Sequence, residues 1–145
     1  MLPRRDTNVG RFSVEFEVAN YRDLVAADLG TLTRDKVRRA RIRGIVDTGA
    51  SQLVLPGKIA KQLGLPKGDK VKVRYADGRR TTRDSADDAY IEMLGRHGTF
   101  RAVVEQKRED ALIGAIVLET FDLVADCTRQ RLVPRDPDFI VSEIE

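Results

Sequence analysis

Hydrophobic and polar residues alternate strictly near the start of the chain, where Phe12, Val14, Phe16 and Val18 share one face. This period of two is typical of a half-buried β-strand. Similar short runs recur along the chain, at 37–46, 52–55, 71–75, 89–94, 99–104, 111–114, 123–126 and 131–133. Eight or nine short strands of this kind predict an all-β fold, a small closed or nearly closed β-barrel.

Two short segments favour helix instead. Residues 56–64 begin with proline and end with glycine, and Ile59 and Leu63 lie one helical turn apart between them. Residues 115–121 are long enough for about two turns. The run 24–29 is ambiguous, and we expect either a strand or a short irregular segment there.

Two hairpins are expected from the turn residues. Asp77-Gly78 lies between the alternating run 71–75 and the polar run 80–82, and Asp-Gly between strand-like runs is a strong hairpin signal. The segment 95–98 separates two further apolar runs, which places His97 at the tip of a second hairpin. Both hairpins are consistent with a small closed or nearly closed β-barrel.

The spacing of the aspartates and the single histidine does not match that of a metal site or of a histidine-based hydrolase. Asp84, Asp87 and Asp88 lack the spacing and terminal glutamate of a calcium loop, so we expect them to be solvated. His97 is the only histidine, and no cysteine or second histidine is near it in sequence, so we expect a turn residue. The sequence therefore predicts no metal and no cofactor.

Composition indicates one globular domain. The chain has 145 residues, of which 41% are hydrophobic and 34% charged, with a net charge of +3.

No apolar run approaches the roughly 20 residues of a membrane helix. The first residues also lack the apolar segment that a secretory signal contains. Cys127 is the only cysteine, so no internal disulfide forms. We expect a cytoplasmic protein without a membrane partner.

Four arginines lie within six positions, at Arg38, Arg39, Arg41 and Arg43. Such a cluster is one signature of a nucleic-acid-binding patch. No aromatic residue is interleaved with the arginines, and three of them repeat with a period of two. This spacing favours a solvated strand face over a nucleic-acid partner.

The stretch from Gly44 to Ser51 is unusual because an apolar run in it ends in Asp47, which is followed by Thr48 and Gly49. Aspartate is disfavoured inside strands, so its place at the end of this one needs a reason. Asp, Thr and Gly are common turn residues, and glycine allows backbone shapes that other residues resist. An ordinary polar turn and a functional carboxylate are both open at this point.

The order of these motifs resembles the retropepsin-like aspartic proteases, in detail their bacterial single-domain members. The motifs are the run 45–51, the Asp77-Gly78 hairpin, and Leu112-Ile113-Gly114 before a short helix. The resemblance extends from about Phe12 to Val133. It implies an acid-protease-type barrel at 11–134 with one or two short helices, preceded by an N-terminal arm at 1–10 and followed by a C-terminal tail at 135–145.

The resemblance also implies a role for each motif. Asp47 is the expected catalytic acid and base, and Thr48 and Gly49 support its loop. The substrate-binding residues it implies are Ala50, Ser51, Tyr75, Ala76, Asp77 and Gly78, the last four at the tip of a flap. Behind the site the resemblance places the structural motif Leu112, Ile113 and Gly114.

The chain has a single Asp-Thr-Gly motif, whereas aspartic protease chemistry needs two adjacent carboxylates that share a proton. The family solves this with a homodimer in which each subunit supplies one aspartate. The expected function is therefore an aspartic endopeptidase that hydrolyses peptide or protein substrates with water activated between two Asp47 carboxylates. The alternative is a catalytically inactive barrel of the same fold that serves as a binding or assembly module.

Overall fold

Nine strands are present in the computed structural model, which describes residues Arg11–Glu145. In chain order they are β1 Arg11–Asn20, β2 Arg39–Asp47, β3 Leu53–Pro56, β4 Val71–Arg74, β5 Arg80–Met93, β6 Arg96–Glu105, β7 Ala111–Ile113, β8 Leu123–Asp126 and β9 Arg131–Pro134. The expected N-terminal arm at 1–10 lies outside the described residues.

Six of these strands close into a barrel. Their order is β1-β2-β7-β3-β6-β5, and β5 pairs again with β1. β1 lies between β2, with Phe12 opposite Val46, and β5, with Val18 opposite Ile91. β4 is attached to the outside edge of β5, and β8 and β9 form a separate hairpin. The prediction of a small closed all-β barrel is confirmed.

In the described part of the chain, three short α-helices accompany the strands: α1 Tyr21–Asp28, α2 Gly57–Gln62 and α3 Ala115–Phe121. Helices α2 and α3 were expected, whereas the prediction of a strand or irregular run at 24–29 is wrong. Helix α1 begins there because the Asn20 side chain accepts a hydrogen bond from the Asp23 backbone N–H at 3.1 Å. No helix in the described part of the chain is long and apolar enough to cross a membrane.

Asn20 also connects α1 to the rest of the barrel. Its side chain is buried and donates to the carbonyl oxygens of Leu63 and Gly64 at 2.9 Å and 3.2 Å. Its backbone N–H donates to the Arg38 carbonyl oxygen at 2.9 Å. The buried side-chain amide of Asn20 thus caps α1 and holds the loop after α2. Leaving these buried groups without hydrogen-bond partners would lower the stability of the fold.

The barrel interior is filled by large apolar side chains from every barrel strand and from α3. Phe16, Leu55, Ile113 and Phe121 are each almost fully buried. The ring of Phe121 packs edge-on against Phe100, with the ring centroids 5.5 Å apart. This packing fixes α3 against β6, and the start of α3 lies next to the loop that follows β2.

The hairpin between β5 and β6 has a tighter turn than expected. Leu94 and Gly95 have φ angles of 52° and 76° and form a two-residue turn, the geometry that suits the twist of a hairpin. His97 lies in β6 opposite Glu92, and its ring stacks on Tyr90 at 5.7 Å. The prediction that His97 is a turn residue is wrong, because the turn needs only two residues.

Strand β5 runs without interruption through the acidic segment at 84–88, with a β-bulge between Ala86 and Ala89. The three aspartates stay partly exposed, and each has a basic partner: Asp84 with Lys70 at 2.7 Å, Asp87 with Arg101 at 2.8 Å and Asp88 with Arg22 at 2.8 Å. The bulge leaves β5 paired with β6 on both sides of it. It also directs two consecutive aspartates, Asp87 and Asp88, toward basic side chains.

The arginines of β2 lie on an exposed strand face, as expected. Each has an acidic neighbour: Arg39 with Glu17 at 4.0 Å, Arg41 with Glu15 at 3.1 Å and Arg43 with Asp110 at 3.7 Å. The positive charge of this face is therefore largely balanced within the chain.

Asp23 gives the fold a specific pH dependence. Hydrogen bonds from the Arg38 side chain are the main cause of a lowered pKa for the Asp23 carboxyl. Burial raises this pKa, but the hydrogen bond from the Arg38 backbone N–H and the positive charge of Arg38 lower it further, so the net shift is downward. A carboxyl with a lowered folded pKa stabilises the fold above its unfolded pKa and loses that contribution as pH falls.

We expect the free energy of unfolding of Asp23→Asn, measured with urea at pH 7, to be about 1 kcal/mol lower than that of wild type. The loss is no larger because Arg38 is half exposed and its charge is screened by solvent.

The difference between wild type and Asp23→Asn should shrink as the pH falls below about 4, because the carboxyl takes up a proton first in the unfolded chain and then, below its lowered pKa, in the folded chain. Stability curves that stay parallel from pH 7 to pH 2 would contradict this role of Asp23.

Candidate active site

Asp47 is the last residue of β2, where that strand leaves the barrel. The preceding Val46 is fully buried, whereas the Asp47 side chain is 21% exposed. The Asp47 carbonyl oxygen accepts a hydrogen bond from the Ala50 N–H at 3.0 Å, which closes a tight turn over Thr48 and Gly49. The chain thus brings a carboxylate from the core directly to the surface of a turn.

Both carboxylate oxygens of Asp47 have partners within the chain. The Gly49 backbone N–H donates to Oδ1 at 3.0 Å, and the Arg11 guanidinium donates to Oδ2 at 2.8 Å. Arg11 reaches this position because it lies directly opposite Asp47 in the β1–β2 register. The Gly49 contact orients the carboxylate, and the Arg11 contact balances its charge.

Gly49 lies close to the carboxylate that its N–H holds and does not adopt an unusual backbone conformation. Its φ angle lies outside the left-handed region, contrary to the conformational reason expected from the sequence. A Cβ at this position would lie 3.3 Å from Oδ1 of Asp47. A side chain here would therefore crowd the carboxylate that the Gly49 N–H holds.

Strand β7 lies beside the end of β2. The two strands are parallel, with Ile45 opposite Leu112 and Val46 opposite Ile113. Because parallel strands end on the same side of a sheet, Asp47 and Gly114 leave the barrel next to each other. The motif 112–114 therefore lies next to the Asp47 turn.

Gly114 lets helix α3 hold the loop that follows Asp47. The Ala115 N–H donates to the Ala50 carbonyl oxygen at 2.8 Å, and the Ile116 N–H donates to the Ser51 carbonyl oxygen at 3.0 Å. A Cβ on Gly114 would lie 2.3 Å from the Gln52 carbonyl oxygen, so only glycine fits this approach. The first N–H groups of α3, which have no partner inside the helix, are used to fix the loop.

The β4–β5 hairpin forms the other side of the site. Its turn is closed by a hydrogen bond from the Gly78 N–H to the Tyr75 carbonyl oxygen at 2.9 Å, with Gly78 at φ 87°. The Asp77 carboxylate accepts from the Arg79 N–H at 2.9 Å, which explains an aspartate before the glycine. The Asp-Gly hairpin expected from the sequence is confirmed.

The turn of this hairpin is anchored by Glu105, the last residue of β6. The Tyr75 hydroxyl donates to its carboxylate, and Arg108 and Arg83 lie at 3.2 Å and 3.6 Å from it. The hydrogen bond to Glu105, together with burial, raises the pKa of the Tyr75 hydroxyl. Burial alone would raise the pKa of Glu105, but hydrogen bonds from Tyr75 and Arg108 and the arginine charges lower it.

A cleft of about 1080 Å³ lies between the Asp47 turn and the hairpin. Of the residues expected at the site, those that line this cleft are Asp47, Gly49, Ala50, Ser51, Tyr75, Ala76 and Leu112. Thr48, Asp77, Gly78, Ile113 and Gly114 do not line it. Thr48 is exposed on the turn, and Ile113 and Gly114 are buried behind it. The structure thus brings together the Asp47 turn and the first residues of the hairpin turn, Tyr75 and Ala76, while the roles of these residues stay predictions.

Several cleft residues were not expected from the sequence. Arg11 and Glu105 reach the site only through strand pairing with distant segments, so no local pattern indicates them. Lys72 and Arg74 lie within the predicted strand 71–75, and their polar alternation was the available signal. A second cleft, of about 780 Å³, lies beside Tyr75 and Glu105 but does not include Asp47.

Comparison with known proteins identifies the family. Residues 35–120, more than half of the chain, match the gag-polyprotein putative aspartyl protease family. This chain belongs to that family. The matched region includes the Asp47 turn, the β4–β5 hairpin and the 112–114 motif, so the retropepsin-like resemblance is confirmed. The placing among bacterial single-domain members stays a prediction.

Among solved structures, the chain is similar to EIAV protease complexed with the inhibitor HBY-793. The two share 23% identity, with a TM-score of 0.45, and the match covers 55% of this chain and 76% of that one. No curated protein matches the chain at a significant level.

Proposed function

We propose that this member of the aspartyl protease family is an aspartic endopeptidase that works as a homodimer. The observation that carries the proposal is the Asp47 carboxylate, presented by a tight turn into a cleft and oriented by the Gly49 N–H at 3.0 Å. Family membership supports the protease chemistry. The expected substrates are peptides or unfolded protein segments.

The mechanism requires a second carboxylate beside Asp47. Among the described residues that line the cleft, the other carboxylate is Glu105, and it is already bound by Tyr75, Arg83 and Arg108. We therefore propose that the partner is Asp47 of a second chain, placed across a two-fold axis. Thr48, exposed on the same turn, is available to hydrogen-bond with the partner's turn.

Two carboxylates about 3 Å apart share one proton, because both cannot be ionised at that distance. The ionised carboxylate takes a proton from the attacking water, while the protonated one donates to the oxygen of the scissile carbonyl. Breakdown of the tetrahedral intermediate then transfers a proton to the leaving amine. In the single chain Arg11 holds Oδ2 of Asp47, and we propose that this contact opens when the second Asp47 docks.

The oligomeric state and the activity should therefore change together. We expect cleavage of an unfolded protein per chain to rise with chain concentration, in parallel with the dimer fraction seen by sedimentation. A statine-type transition-state mimic should inhibit it and bind once per two chains, since both aspartates form one site.

A protein that stays monomeric at every concentration, binds no mimic and cuts nothing between pH 3 and pH 7 would contradict the proposal. That result would favour the alternative, a barrel of the same fold used for binding or assembly.

A further inference from the structure

The cleft that contains Asp47 is lined by more cationic than anionic side chains. Within Arg11–Glu145, two lining residues are acidic, Asp47 and Glu105. Five are basic: Arg11, Lys72, Arg74, Arg101 and Arg108. Clefts lined mainly by one sign of charge concentrate ligands of the opposite sign.

Three of the five cations already have acidic partners within the chain. Arg11, Arg101 and Arg108 each lie 2.8 to 3.2 Å from a carboxylate oxygen. Lys72 and Arg74 have no carboxylate within 4.0 Å anywhere in Arg11–Glu145. Both residues line the cleft, and no carboxylate of the described chain neutralises the charge of either one.

The position of Arg74 is not explained by the stability of the hairpin. It lies directly opposite Arg80 on β5, and like charges facing each other across a strand pair are destabilising. Lys72 and Arg74 are both exposed, whereas Val71 and Val73 between and beside them are half-buried. The two cations thus share one face of β4, about 7 Å apart.

Side chains of an extended peptide are spaced in the same way as Lys72 and Arg74 on β4. The peptide's alternate side chains point to one side at the same spacing of about 7 Å, so two acidic residues separated by one residue match the two cations. We propose that Lys72 and Arg74 select substrate segments with acidic side chains at two alternate positions. This inference rests on the proposed peptidase function and names its substrate class.

Cleavage of a mixed peptide library, read by mass spectrometry, tests the preference. We expect aspartate and glutamate to be enriched at two alternate positions on one side of the cut. Synthetic substrates built on the best sequence should show about fivefold higher kcat/KM with a Glu-x-Glu pair than with Gln-x-Gln, since partly exposed ion pairs contribute little each. The advantage should fall as salt is raised.

Charge reversal identifies the residues responsible. The Lys72→Glu/Arg74→Glu variant should lose the preference for Glu-x-Glu and cut a Lys-x-Lys substrate better than wild type does. The matched control is Lys58→Glu/Lys61→Glu, which changes net charge equally on α2, away from the cleft lining, and should keep the wild-type preference. Circular dichroism checks that both variants fold.

Binding separates a failure of this inference from a failure of the proposed function. Asp47→Asn protein should bind a fluorescent Glu-x-Glu decapeptide more tightly than its Gln-x-Gln counterpart, whether or not the wild type cuts peptides. Cleavage without any acidic preference, or equal binding of the two decapeptides, overturns the inference and leaves the peptidase proposal intact. Acidic preference in binding without cleavage supports the inference while contradicting the peptidase.

Discussion

Asp47→Asn should lower the rate of peptide cleavage by about a thousandfold or more and leave the barrel folded. The substitution removes the group that takes and gives protons, and such groups contribute about 10² to 10⁴ in rate. An asparagine Oδ1 can still accept from the Gly49 N–H, so the turn keeps its shape. The lost ion pair with Arg11 is partly exposed and adds little stability.

The measurement is kcat/KM on an unfolded substrate together with the thermal midpoint. Asp28→Asn is the matched control, because Asp28 is an exposed carboxylate on α1 that does not line the cleft. It should cut at the wild-type rate. A fully active Asp47→Asn protein would rule out Asp47 as the catalytic residue.

Mixing the two proteins extends the test to the dimer. If chains pair at random, an equal mixture of wild type and Asp47→Asn should show about half the activity per wild-type chain, because half of the wild-type chains then sit in mixed dimers with one aspartate. An enzyme that works as a single chain would show no loss on mixing.

Gly114→Ala should destabilise the fold by about 3 kcal/mol, because overpacking that forces backbone shifts costs about this much. The new methyl group would lie 2.3 Å and 2.7 Å from the Gln52 carbonyl oxygen and N, and these backbone atoms cannot swing away as a flexible side chain does. Relief requires moving the loop 50–52 away from α3, which breaks the hydrogen bonds from Ala115 and Ile116.

For a chain of this length that loss corresponds to a fall in the thermal midpoint of about 10 °C. Cleavage should fall as well, since the displaced loop carries Ala50 and Ser51 of the cleft. The control is Gly30→Ala, where the methyl meets no atom within 4 Å but φ is 82°, so only backbone strain of about 1 kcal/mol is expected. Equal stability losses in the two variants would contradict the steric role of Gly114.

Much of the fold was predictable because its signals are local. The alternation at 12–18, the Asp77-Gly78 turn and the proline-to-glycine segment at 56–64 each depend on neighbouring residues, and the structure confirms all three. The missed helix α1 combines a local and a distant contribution. The Asn20 side chain caps it through the Asp23 N–H, and the same side chain is held in place by the carbonyl oxygens of Leu63 and Gly64, far along the chain.

The same limit applies to the site. Asp47 and its turn stood out because a carboxylate after an apolar run is unusual in any fold. Arg11 could not be assigned to it, since the contact depends on a strand register that joins residues 36 positions apart. Glu105 likewise meets Tyr75 from 30 positions away.

The chain alone therefore determined a closed β-barrel with one Asp-Thr-Gly turn and an Asp-Gly hairpin, because alternation and turn chemistry act between near neighbours. Only the tertiary structure decided which side chains surround Asp47. Barrel closure sets the registers of β1, β2 and β7, and those registers place a guanidinium on one carboxylate oxygen and α3 behind the turn. A strand pattern is the same for many registers, whereas the packed core allows only one.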